Sequence, residues 1–217
     1  MTRHVLLGWR RDVGVLDCLL RALTIVVLAT PLTGWGLARP DPGSLDTNFG
    51  DGGKVITDFG LQSAAGAMAA QADGRLVAGG SAVVDFARRD DFALARYRRN
   101  GRLDRSFGEG GKVTTDFGAG SDFVTAVAVQ PDGKVVAAGG AATGPEANDF
   151  ALARYNRDGT LDVGFGDGGT VTTDFAGGFD RVHALIVQPD GKLVAAGWAA
   201  TTPETGFQRP RVGSVQP

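Results

Sequence analysis

Cysteine is almost missing from this sequence: Cys18 is the only one. A single thiol makes no internal disulfide and no zinc knuckle, so burial of a core has to hold the fold. Histidine is nearly as scarce, with His4 and His183 alone, which leaves no cluster of imidazoles for metal or acid–base chemistry. Neither sign of charge dominates, with 22 Lys+Arg against 24 Asp+Glu. There is no global basic excess to hold a phosphate backbone, and no nucleic-acid partner is expected. The apolar stretch Ala22–Ala29 falls well short of the roughly 20 residues that a membrane-spanning helix needs.

Residues 1–38 nevertheless have the order of an export signal. Arg3, Arg10, Arg11 and Arg21 precede the apolar stretch, and Gly36-Leu37-Ala38 supplies the small residues of a cleavage site after Ala38. The segment is expected to be a signal-type helix, either a cleaved signal peptide or a retained signal anchor. Only the retained form would bring a membrane contact. Asp12-Val13-Gly14 does not sustain a twin-arginine motif, and Cys18 stands ahead of the apolar core, where a lipoprotein anchor has no use for it. The polar residues 39–44 read as a linker.

What the sequence has in plenty is glycine, 34 residues, beside short β-branched and apolar runs. That combination reads as many tight turns between short strands. The runs also repeat. Leu45, Leu103 and Leu161 are evenly spaced, and each opens a Leu-Asp-x-x-Phe-Gly-x-Gly-Gly-Lys/Thr-Val segment. Gln71, Gln130 and Gln188 each open Gln-Ala/Pro-Asp-Gly-Arg/Lys-Leu/Val-Val. Asp91-Phe-Ala-Leu-Ala-Arg-Tyr97 returns as Asp149-Phe-Ala-Leu-Ala-Arg-Tyr155, at the spacing that separates Leu45 from Leu103. Three landmarks in one order and one period divide the chain into repeat 1 (45–102), repeat 2 (103–160) and an incomplete repeat 3 (161–217).

Each copy predicts four strands. In the second they are Lys112–Phe117, Val124–Gln130, Lys134–Gly140 and Asp149–Asn156. Pro131-Asp132-Gly133 is a hairpin turn, because proline presets one backbone angle and glycine accepts positive φ. Alternation places Phe150 and Leu152 on one face of the fourth strand and Ala151 and Ala153 on the other. The two middle strands are nearly continuous apolar runs, which expect cover on both faces. Stacked blades of a β-propeller supply that cover. The fold class expected is therefore all-β: tandem four-stranded antiparallel blades of a partial β-propeller.

The three landmarks together resemble the bacterial delta-60 repeat, from residue 45 to about 204. The resemblance implies a β-propeller-like fold and an exported protein. It implies no activity, cofactor or partner.

The third copy departs from the pattern after Glu204. Gly206-Phe-Gln-Arg-Pro-Arg-Val212 replaces Asp-Phe-Ala-Leu-Ala-Arg-Tyr, with Phe207 and Arg211 falling one position short of a full period after Phe150 and Arg154. Pro210 has no amide proton and restricts such a strand to a sheet edge. Either the reading frame is truncated or shifted near 205, or blades of several chains associate through their open faces, since a propeller usually has 4–8 blades.

Residues that carry chemistry are few. The Asp-Gly pairs at Asp51, Asp73, Asp132, Asp158, Asp167 and Asp190 lack the alternating ligands and distal glutamate of a calcium loop, and read as turn caps. Asp58, Asp116 and Asp174 recur with the fold and read as structural. Gly-Asp-Gly-Gly-Lys leads into a strand and lacks phosphate-loop spacing. No metal, cofactor or catalytic site is expected. Two residues break the repeat: His183 replaces Thr125 and Trp198 replaces Gly140, and they are the candidates for a surface contact. The expected function is a non-enzymatic, exported scaffold or binding module. The alternatives are an extracytoplasmic propeller hydrolase or lyase, or a fragment of a larger repeat protein.

Overall fold

The computed structural model describes residues 5–6, 23–27, 41–84, 89–118, 120–144, 147–175, 177–200 and 208–216. Among them are strands and no α-helix: β1 (Val5–Leu6), β2 (Leu23–Val27), β3 (Lys54–Thr57), β4 (Gln62–Ala70), β5 (Leu76–Val83), β6 (Asp91–Tyr97) and β7 (Lys112–Thr115), then β8 (Phe123–Val129), β9 (Val135–Gly144), β10 (Ala147–Tyr155), β11 (Thr170–Thr173), β12 (Asp180–Val187), β13 (Leu193–Ala200) and β14 (Gln208–Val215).

Three antiparallel sheets follow one another as blades. Blade 1 has the order β4-β5-β6-β7, blade 2 β8-β9-β10-β11 and blade 3 β12-β13-β14. The predicted strands and hairpins recur here, with an unforeseen phase. Lys112–Thr115 heads the second sequence repeat but pairs with β6 of the first, Leu94 lying opposite Val113. Thr170–Thr173 closes the sheet of the second repeat in the same way, Leu152 opposite Val171. The cause is the segment between. Leu103 bridges back to Tyr97, the Asp104 amide donates to Arg96 O (2.8 Å), and the Glu109 amide donates to Lys112 O (2.8 Å). The Leu-Asp-x-x-Phe-Gly-x-Gly-Gly run thus folds against the end of β6 and delivers the next short strand to its free edge.

The inner strands β4, β8 and β12 lie side by side, so the blades stack face to face. Val124 and Val127 of blade 2 pack in one core with Val77, Phe92 and Leu94 of blade 1. Ala126, Val136, Phe150 and Leu152 face the other way and share a second core with Val182, Leu193 and Ala195 of blade 3. Both faces of the middle blade are covered, as its apolar runs required. Each fully buried Val, Leu or Phe in these seams contributes about 1.5–3 kcal/mol. Every inner strand carries one β-bulge, at Gly66, Thr125 and His183. Across each bulge stands a glycine, Gly80, Gly139 or Gly197, on which a Cβ would overlap a carbonyl oxygen of the inner strand.

Two expectations are corrected. The described parts of the N-terminal segment, Val5–Leu6 and Leu23–Val27, are strands and give no support to a signal-type helix. Thr24, Ile25, Val26 and Val27 are β-branched, and β2 pairs with the edge of β3, Ile25 opposite Val55. The rest of residues 1–40 lies outside the described residues. The second correction concerns the degraded strand of repeat 3. β14 does form, at the sheet edge as Pro210 demands, but in another register. Val215 lies opposite Leu193 as Tyr155 lies opposite Val135, so β14 enters its sheet two positions later than the period alone would place it. Arg211 therefore takes the station of Ala151, opposite a bulge glycine, and Ser214 that of Arg154. Phe207 lies outside the described residues.

Candidate functional site

Most of the repeated polar groups are engaged in the fold. Asp73, Asp132, Asp158 and Asp190 each accept, through Oδ1, the amide two residues on, at 2.9–3.2 Å. This is the turn capping expected of Asp-Gly. The Arg of Asp-Phe-Ala-Leu-Ala-Arg-Tyr is buried in a clamp. Arg96 Nε donates to Asp104 Oδ2 (2.9 Å) and its guanidinium lies 4.6 Å from the Phe107 ring. Arg96 also reaches Arg157 O, in the turn that follows β10 of blade 2 (2.5 Å). In the next repeat Arg154 Nε donates to Asp162 Oδ2 (2.7 Å), Lys134 Nζ shares that oxygen (2.8 Å), and Phe165 lies 4.5 Å below the guanidinium. The Tyr of the same run bonds to a threonine: Tyr97 donates to Thr57 and, equivalently, Tyr155 pairs with Thr115 (2.7 and 2.8 Å).

His183 and Trp198 lie elsewhere, and together. In blade 2 the corresponding positions face blade 3: Thr125 Oγ1 donates to Val182 O, and a Cβ on Gly140 would lie 3.3 Å from Asp180 O. In blade 3 the same stations therefore face outward, away from blade 2. His183 is exposed at the bulge of β12, and Trp198 is half-buried on β13, opposite Arg181 and Pro210. The same face carries Ile186 and Val212, both well over half exposed. Their counterparts by position in blade 2, Ala128 and Leu152, lie on the side that blade 3 covers. A tryptophan in place of Gly140 alters the surface that a following blade of the same spacing would meet.

The structure also assembles two groups that the sequence did not reveal. One carboxylate oxygen each of Asp91, Asp116 and Asp122 lie within 4.8 Å of one another, and the same holds for Asp149, Asp174 and Asp180. Each group straddles a blade seam. Its members stand at or near the start of a third strand, just after a closing strand, and at the start of the following blade's inner strand. Asp122 is fully buried. Burial pushes its carboxyl up to about 6, and the charges of Asp116 and Asp91 add to that, against the donated amides of Phe117 and Ala142. Asp180 is shifted in the same direction, first by burial and also by Asp174 and Asp149. Asp116 and Asp174 also cap turns, accepting the amides of Gly118 (2.7 Å) and Gly177 (2.5 Å).

Face-to-face antiparallel sheets, paired through their inner strands and closed by a strand from the next repeat, are the construction of β-propeller blades. Three segments, residues 71–107, 130–165 and 188–212, match the family model described as "Domain of unknown function (DUF5122) beta-propeller". The matches keep the phase of the sequence repeat and support tandem repeats of β-propeller type. No curated protein matches it.

Proposed function

We propose that this chain is an exported, non-enzymatic module of the bacterial delta-60 type that binds a protein partner through the outward face of its third blade. One observation carries the reading. Among the described residues, those that break the repeat, His183 and Trp198, stand on a blade face turned away from the stack, the face that also carries Ile186 and Val212. The repeated charged and hydroxyl groups are meanwhile engaged within and between blades. A half-exposed tryptophan among aliphatic side chains has the composition of a contact hot spot. A second blade-like sheet is the natural occupant, because the equivalent face of blade 2 is covered by one, and another copy of the chain can supply it. Export rests on the order of charged, apolar and small residues in 1–38.

The binding claim is tested by sedimentation velocity of the purified chain over a concentration series. Concentration-dependent association is expected, and Trp198→Ser should weaken it about tenfold or more. A monomer at all concentrations, in the absence of any added partner, would remove self-association and leave only a foreign partner. Indifference to Trp198→Ser would remove the face itself. For export, the chain expressed in a bacterium with its own N-terminus should be recovered outside the cytoplasm, beginning at Arg39. Recovery of the intact N-terminus in the cytoplasm would contradict it.

A further inference from the structure

The two aspartate groups at the blade seams have the makings of a cation site, and the group around Asp180 carries the stronger case. Asp149 comes from the third strand of blade 2, Asp174 from the residue after its closing strand, and Asp180 from the first residue of blade 3. Their three oxygens within 4.8 Å suit a single ion with calcium–oxygen distances of about 2.3–2.6 Å. All three donors are carboxylates, the hard ligands that calcium takes and that zinc or copper sites seldom use alone.

A second observation is independent of the clustering. Asp180 is 1% exposed, and its Oδ2 accepts the Phe175 amide at 2.8 Å. Its Oδ1 is buried and has no hydrogen-bond partner. The Ala200 amide donates to Phe179 O (3.0 Å) and makes only a secondary contact with this carboxylate. In the sister group the matching oxygen is satisfied, since Asp122 Oδ1 accepts the Ala142 amide (3.0 Å) and its Oδ2 the Phe117 amide (2.8 Å). A buried carboxylate oxygen lacking a donor is costly, and such atoms in native proteins call for a partner that is not a protein donor. Two further acids beside it make that partner a cation.

We propose that Asp149, Asp174 and Asp180 bind a calcium ion that clasps blade 2 to blade 3. Three carboxylates supply about half of the six to eight oxygens that calcium takes. The ion offsets the mutual repulsion of the acids and ties together strands of two blades, so it stabilises the seam. Asp180 Oδ1 needs a partner, whereas Asp122 Oδ1 of the sister group already has one.

The test uses the full chain, freed of metal with chelator and titrated with calcium chloride, with magnesium chloride in parallel. Calorimetry should show saturable binding of one calcium ion per chain, in the sub-millimolar range. The unfolding temperature should rise by about 3–6 °C at a calcium concentration ~10 times the dissociation constant. Magnesium, which demands a smaller and more regular cage, should give less than half of that shift. Asp174→Asn keeps an oxygen for the Gly177 amide and so preserves the turn. It should weaken binding at least ~10-fold, since ligand charge sets affinity in such sites. Asp149→Asn combined with Asp174→Asn should abolish the response. Both variants are checked for unchanged far-UV circular dichroism without calcium. No saturable binding and no thermal shift up to 10 mM calcium (about ten times the top of the extracellular-module range) would overturn the proposal, as would full binding by the folded double variant.

Discussion

Gly139→Val is expected to abolish the folded state at 25 °C. A Cβ on Gly139 would overlap Phe123 O and lie 3.1 Å from the Val124 Cα, both backbone atoms of the inner strand. Gly139 pairs with Val124 at the point where the strand bulges at Thr125. The bulge brings the two backbones too close for any side chain, so the ladder must open locally to admit one. That opening separates Val124 from the core it shares with blade 1, and the loss should exceed about 4 kcal/mol. Two other glycines set the scale. At Gly140 a Cβ meets chiefly the tip of the Phe123 ring, at 2.9 Å, which can rotate away. Gly140→Ala should therefore cost about 1–2 kcal/mol. At Gly110 a Cβ meets nothing within 4 Å, but φ is +62°. Gly110→Ala should cost about 1 kcal/mol from the left-handed backbone alone. Urea unfolding of the three variants checks the order. Equal effects at Gly139 and Gly110 would show that the close approach is not what selects glycine in the bulge.

The second large effect is expected at the arginine clamp. Asp162→Ala removes the acceptor shared by Arg154 and Lys134 and leaves Arg154, 6% exposed, without its carboxylate. Breaking a buried pair from one side typically costs about 3–5 kcal/mol, more than the intact pair contributes, because the remaining charge stays desolvated. The same substitution should change the acid limb of stability. The hydrogen bond from Lys134, and after it the hydrogen bond and charge of Arg154, hold the Asp162 carboxyl below the usual carboxylate range. A folded-state value below the unfolded one stabilises the fold above about pH 4 and loses that contribution as pH falls through the folded value. Asp162→Ala should therefore be less stable than the parent at pH 7 and converge on it toward pH 2. A constant difference across that range would mean that packing, not charge, makes the clamp matter. Arg154→Lys should retain only part of the stability, since the 4.5 Å stack on Phe165 and the Nε geometry are specific to a guanidinium.

Local chemistry was the readable part of the sequence. Val124–Gln130 and Lys134–Gly140 are β-rich runs joined by Pro131-Asp132-Gly133, and the structure gives β8 and β9 within a residue of those starts, with a longer end to β9. What strand pairs with what was less readable. Lys112–Thr115 is short and alternates like any closing strand, and a fixed period is the same whichever neighbour it joins. The fold of Leu103–Gly111 decides the question, and that depends on the buried Arg96–Asp104 pair, whose members belong to two different sequence repeats. At the N-terminus the apolar run Leu23–Val27 suited a signal helix by its order and a strand by its β-branching. An available edge on β3 favours the strand.

The candidate sites divide along the same line. His183 and Trp198 were visible because they break a repeat, which needs no knowledge of the fold. That they share one outward face follows only from the stacking of the blades. The aspartate groups were hidden for the opposite reason. Asp149 belongs to one sequence repeat and Asp174 and Asp180 to the next, and no short motif contains all three. Asp174 is engaged in a turn cap, and regular recurrence made it look purely structural. A cluster assembled across a seam leaves no local spacing to read.

The closing of blades 1 and 2 by a strand of the next repeat determines the seams, the clamp and the outward face alike. It is tested most directly by cross-strand amide and Hα nuclear Overhauser contacts in the isotope-labelled chain. The pairs Leu94–Val113 and Leu152–Val171 should give them. Their absence, with contacts instead from Lys112–Thr115 to Phe123–Val129 in one sheet, would place each short strand in the blade of its own repeat and contradict the arrangement described here.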